Sequence, residues 1–129
     1  MNALEQAIDE AIKAEGDSTK SNKAYLEFIK ANFIIPVEKN PNSEEPEVLY
    51  LQSDNQTFLP VFSNMDYLDQ WAHEIRDEIN LLKLSGVDLL KGVSDDVIVS
   101  LNIGSSIYKE FNASEIARMR SMVLKIFKN

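Results

Sequence analysis

Cysteine is absent from this sequence of 129 residues. That excludes disulfides, thiolate nucleophiles and cysteine-held zinc or iron–sulfur centres, and it fits a reducing cytoplasm. Histidine occurs once, at His73, so the usual two-histidine metal site lacks its second ligand. The four glycines never fall into the spacings that cradle phosphates, G-x-G-x-x-G or G-x-x-x-x-G-K-[ST]. No apolar run approaches the ~20 residues of a membrane span. Met1–Gln6 lacks the basic start and apolar core of a secretory signal, so a soluble, unanchored protein is expected. Bases are outnumbered by acids, 13 to 21, for a net charge of −8. Such a surface repels phosphate backbones and disfavours nucleic acid as a partner.

What remains has the make-up of a folded domain, 44% hydrophobic and 26% charged. The length predicts one domain over residues 1–129, enough to bury about two-thirds of the unfolded surface. Leu4, Ala7, Ile8, Ala11 and Ile12 recur at helical spacing within residues 2–15. Gly16-Asp17-Ser18 ends that helix, and a second from about Thr19 to Ala31 makes an N-terminal helical hairpin, with Tyr25, Phe28 and Ile29 on one face. Phe33–Val37 reads as a strand whose Pro36 suits a sheet edge or a bulge. After a polar loop with two prolines at residues 40–46, Val48–Gln52 and Thr57–Phe62 form a hairpin turning at Asp54-Asn55.

Ser63 or Asn64 can cap a helix carrying Leu68, Trp71, Ala72 and Ile75. Ile79–Leu84 reads as a strand and Val87–Lys91 as a short helix after Gly86. Val97–Ile103 is apolar on both faces, as a central, doubly covered strand would be, and Gly104 ends it. Ser106–Phe111 returns as a strand. The last helix starts at Asn112, with Glu115 completing a capping box. Its apolar stripe is Ile116, Met119, Val123 and Ile126 or Phe127. The fold expected is α+β: a mixed, mostly antiparallel sheet of five or six strands flanked by helices on both sides.

Order and spacing of these elements resemble the N-terminal domain of the SseB family of bacterial proteins, named after enhanced serine sensitivity. Leu59-Pro60-Val61-Phe62-Ser63 is similar to that family's "lPvFTs" segment, and Trp71 lies on a helix like its "aawa" stretch. Leu101-Asn102-Ile103-Gly104-Ser105 resembles its "vNPGS" signature, with Ile103 in place of proline. The resemblance runs over nearly the whole chain. It implies a fold and a bacterial origin rather than a reaction.

Candidate chemistry is sparse. Asp69 and Asp77 lie one helical turn either side of His73, the geometry of an oriented general base, yet one histidine between two acids is ordinary on a helix surface. Ser105 and Ser106 follow Gly104, but N-I-G-S-S lacks the second glycine of a nucleophile elbow. Glu44, Glu45 and Glu47, and likewise Asp95-Asp96, lack the alternating ligands of a calcium loop. Trp71, beside Leu68 and Ile75, reads as core. No catalytic, metal or cofactor-binding residue is assigned, and no cofactor is expected.

Charge is unevenly placed. Residues 31–104 hold 13 acids and 4 bases, residues 105–129 only 2 acids and 5 bases. A basic last helix complements its own dipole and could also meet an acidic partner. The expected function is therefore a non-enzymatic protein-interaction or regulatory module, cytoplasmic, with a protein partner or self-association and neither nucleic acid nor membrane. The partner-binding residues expected are Asn102, Gly104, Ser105, Ser106, Arg118 and Arg120. Two alternatives stand beside it: an exported protein associated with type III secretion, and a carboxylate-using enzyme built on Asp69, His73 and Asp77.

Overall fold

The computed structural model describes residues 1–39 and 47–126. Helix α1 (Ala3–Lys13) opens on a capping box: the Asn2 side chain accepts from the Glu5 amide, and the Glu5 carboxylate accepts from the Asn2 amide. Gly16 turns the chain at a φ of 90° into α2 (Ser18–Lys30), which Asp17 caps. Leu4, Ala7 and Ile8 of α1 and Tyr25, Phe28 and Ile29 of α2 are buried, as their spacing predicts. Ile12 is not; it is exposed.

Strand β1 (Asn32–Glu38) pairs antiparallel with β4 (Ile79–Ser85). The other sheet runs β2 (Leu51–Ser53), β3 (Gln56–Val61), β5 (Val97–Leu101) and β6 (Lys109–Phe111), with β3 and β5 parallel and the remaining pairs antiparallel. Asp54 and Asn55 both adopt positive φ, 50° and 65°, the two-residue turn whose twist matches a hairpin.

The single sheet of five or six strands thus divides into two, and the prolines explain why. Ile34 and Phe62 exchange two backbone bonds of 2.9 Å, so the next residues in phase, 36 on β1 and 60 on β3, would direct their amides into the same seam. Pro36 and Pro60 have no amide hydrogen to contribute. The β1–β3 ladder closes only at an isolated bridge, Ile34 to Phe62, and beyond it the same edge of β1 bonds to residues 47–49 instead, Leu49 N donating to Pro36 O and Glu38 N to Glu47 O. The expected edge or bulge at Pro36 is this seam.

Helix α3 (Met65–Trp71) is capped by Asn64 and ends sooner than its apolar spacing suggests. Ala72 makes the last helical bond, and a single 3₁₀ turn at Arg76–Glu78 leads into β4. Helix α4 (Gly86–Gly92) follows β4 directly, and α5 (Ala113–Ile126) closes the described chain. Strand β6 is shorter than Ser106–Phe111 because Asn102 and Gly104 hold positive φ, and the Ser105 hydroxyl ties Asn102 O to Ile107 N. Residues 102–107 are consequently a turn. Phe127, an expected member of the α5 stripe, and the polar loop 40–46 lie outside the described residues.

Helices α1, α2, α4 and α5 share the larger core with β1, β3, β5 and β6. Helix α3 covers a smaller cluster around Phe62, Leu68, Ala72 and Ile79. Strand β5 is central, as expected. One of its faces is buried through Val97, Val99 and Leu101, and on the other Ser100 is fully buried and Ile98 half-buried.

Candidate functional site

The carboxyl ends of the parallel strands β3 and β5 meet at Ser63 and Asn102, the kind of crevice where open α/β sheets take ligands. Here the chain fills it with its own carboxylate. Glu5, only 4% exposed, accepts from the Ser63 hydroxyl at 2.5 Å and the Asn64 amide at 2.7 Å, besides the Asn2 backbone amide at 2.9 Å. Asn102 accepts from Ser63 N at 3.0 Å and donates to Ser63 Oγ at 2.9 Å. Burial pushes the Glu5 pKa up, but the bonds from Ser63, Asn2 and Asn64 outweigh it and hold the carboxyl below its ordinary value. An ionised glutamate therefore fastens α1 to the end of β3, and Asn102 in turn ties that end to β5 through Ser63.

The loop expected to meet a partner is largely consumed by this arrangement. Asn102 is fully buried, Ser105 is engaged within its turn, and only Gly104 and Ser106 are exposed. No hydrogen bond joins the loop to Arg118 or Arg120 among the described residues. Arg118 donates twice to Asn22 on α2, at 2.8 and 3.1 Å. Arg120 caps the end of α4 instead: its guanidinium donates to Leu90 O at 2.8 Å and to Val93 O, and pairs with Asp95 at 2.7 Å. Helix-end carbonyls lack intrahelical donors, so a cation there is structural.

The basic helix nevertheless borders a surface that periodicity did not single out. Between α4 and α5 lies an apolar cleft of about 210 Å³, lined by Val87, Leu90, Lys91, Arg120, Val123 and Leu124. Leu124 is 72% exposed. It stands outside the Ile116–Met119–Val123 stripe, and that mismatch was the available signal. A second groove, of about 380 Å³, runs along α5 past Ser114, Ala117, Arg118, Ser121, Met122 and Lys125.

The carboxylate–histidine cluster does not assemble. His73 is exposed at a shallow depression beside Trp71 and Glu74, Asp69 pairs with Arg76 at 3.2 Å, and the Asp77 backbone carbonyl accepts from Lys39. Trp71 is half-buried, its ring 5.4 Å from that of Phe62, so it belongs to the α3 cluster as a core residue with one open edge. Replacing His73 with alanine is expected to leave stability within about 0.5 kcal/mol, the usual range for an exposed residue without partners; urea unfolding checks this. No group of three or more candidate metal ligands occurs among the described residues.

Glu115 makes the other built polar cluster. It completes the α5 capping box with Asn112 and accepts from Lys109 at 3.0 Å and from the Tyr25 hydroxyl at 2.9 Å. Burial and the Glu115 charge push the Tyr25 phenol up to about 12, so it stays a hydrogen-bond donor throughout the neutral range. This cluster joins α2 to α5 and is a structural lock.

Fold and surface together define a small α+β domain whose buried Glu5 and Asn102 tie together its own elements and which carries an apolar cleft between α4 and α5. The sequence model of the SseB protein N-terminal domain matches residues 4–118, and the chain belongs to that family. No curated protein and no solved structure matches it. No helix among the described residues is long and apolar enough to cross a membrane.

Proposed function

We propose that this domain is a non-enzymatic protein-interaction module that receives an acidic, apolar-faced helix of a partner protein in the cleft between α4 and α5. The carrying observation is the cleft itself, apolar within and bordered by Lys91, its other cation Arg120 being paired with Asp95, on a chain that is otherwise strongly acidic. Apolar area supplies affinity, and opposite charge supplies orientation and encounter rate. The neighbouring α5 groove adds Arg118 and Lys125 on the same helix. A cytoplasmic setting accords with the absence of cysteine.

The cleaner test positions are Leu124 and Lys91, since Arg120→Glu would also release the end of α4. Tagged wild type is expected to recover one stoichiometric acidic protein from native lysate at low salt and less at high salt. Leu124→Gln and Lys91→Glu should each reduce that recovery by about tenfold, the loss of one well-placed contact. Equal recovery by all three baits would discard the cleft as the docking site.

A further inference from the structure

We infer that β4 is a self-association edge: a second copy of this chain adds its own β4 antiparallel to the first, joining two β1–β4 sheets across a two-fold axis.

Four strands end a sheet here: β2 and β6 are blunt, having three residues each, and the outer edge of β1 already bonds to Phe62, Glu47 and Leu49. Short edges are a common protection against unwanted pairing. Strand β4 has seven residues, Ile79–Ser85, and only β1 as a β-partner among the described residues. The hydrogen-bond phase shows which of its groups are open. Ile34 turns its backbone bonds to Phe62, away from β4, so Phe33, Ile35 and Val37 are the β1 residues that bond to Leu84, Leu82 and Asn80. The N–H and C=O groups of Leu81 and Lys83 consequently face the outer edge.

Side chains point to a like strand as the occupant. Leu81, Leu82 and Leu84 are all only half-buried, and Lys83 is the strand's single charge. A register centred on Leu82 makes Leu81 and Lys83 of the second copy a hydrogen-bonded pair. It sets Leu82 against its own copy, where non-hydrogen-bonded side chains approach closely. The larger core, which Leu82 and Leu84 already touch, then continues across the axis. Each Lys83 lies over a leucine, its stem covering apolar surface, and the two ammonium groups never face each other. A register centred on Lys83 would oppose them. The interface is isologous and closes at two copies.

Sedimentation of the full chain over a range of concentrations tests this. Wild type is expected to form a concentration-dependent dimer. Leu81→Lys sets two lysine pairs opposite each other and should weaken the dimer tenfold or more, by roughly the repulsion of two like-charged cross-strand pairs. Adding Lys83→Glu to Leu81→Lys replaces repulsion by attraction and should restore it, a recovery specific to the Leu82-centred register. Lys83→Pro removes an outward amide that the monomer does not use; it should dissociate the dimer while circular dichroism remains native. A wild type that stays monomeric to about 1 mM, at which even a weak association of about −4 kcal/mol is half-formed, overturns the inference. So does a dimer unaffected by both Leu81→Lys and Lys83→Pro, or a double variant that does not recover.

Discussion

Replacing Glu5 with alanine is expected to lower unfolding free energy by about 2–3 kcal/mol, the range for leaving part-buried neutral donors without their charged acceptor. The carboxylate accepts three bonds and donates none. Its removal strands the Asn2 backbone amide, the Ser63 hydroxyl and the Asn64 amide near a fully buried Asn102, and each loses a charge-assisted partner. In a domain of this size the melting temperature should fall by roughly 10 °C. Glu5→Gln separates charge from shape. Its single carbonyl oxygen cannot replace two carboxylate oxygens, and its own amide faces donors, so a loss of about 2 kcal/mol is expected.

The pH dependence carries a definite sign. Glu5 is held below its ordinary pKa of 4.5 in the folded state. Its stabilisation is thus fully present above that ordinary value and is lost as pH falls through the lowered folded pKa. Urea unfolding of wild type and Glu5→Gln from pH 7 to about pH 3 should show the gap between them narrowing in acid. A constant gap would mean that the carboxylate is not the fastening charge.

The order of elements was legible because each boundary has its own local chemistry: Asn64 and Asn112 cap, Asp54-Asn55 turns, and Gly86 introduces a short helix. Positions set by distant chain were not. Nothing local says that Glu5, three residues after a capping asparagine, also reaches Ser63 across 58 positions. The N-I-G-S-S segment reads as an open polar loop, yet Asn102 is consumed by Ser63. Arg120 looks like one more surface base until α4 is seen to end beneath it. Charge counting found the basic helix, and only the tertiary packing of α4 against α5 turned one side of it into a cleft. The split of the sheet was half-readable: Pro36 signalled an interrupted ladder, but its matching interruption at Pro60 depends on how the two strands align.

Gly86→Ala is expected to be the most damaging single-methyl change in the chain. A Cβ built on Gly86 would lie 2.1 Å from Phe28 O and 2.8 Å from Ile29 O. Both atoms are backbone, in the last turn of α2, where Phe28 is fully buried and Ala31 O accepts the Gly86 amide at 2.8 Å. No rotamer change can relieve that contact; either α2 or the β4–α4 junction has to move. Overpacking a core costs about 1–3 kcal/mol when side chains can adjust. With backbone on both sides, a loss of 3 kcal/mol or more is expected, enough to unfold a marginal domain. The control is Gly92→Ala at the other end of α4. Nothing lies within 4 Å of its added carbon, and alanine lowers the entropy of the unfolded chain, so a gain of about 0.5–1 kcal/mol is expected. Thermal unfolding of the pair therefore reads close packing at one end of a seven-residue helix against open space at the other. Equal effects at both positions would show that α2 does not bear on Gly86 as closely as the geometry places it.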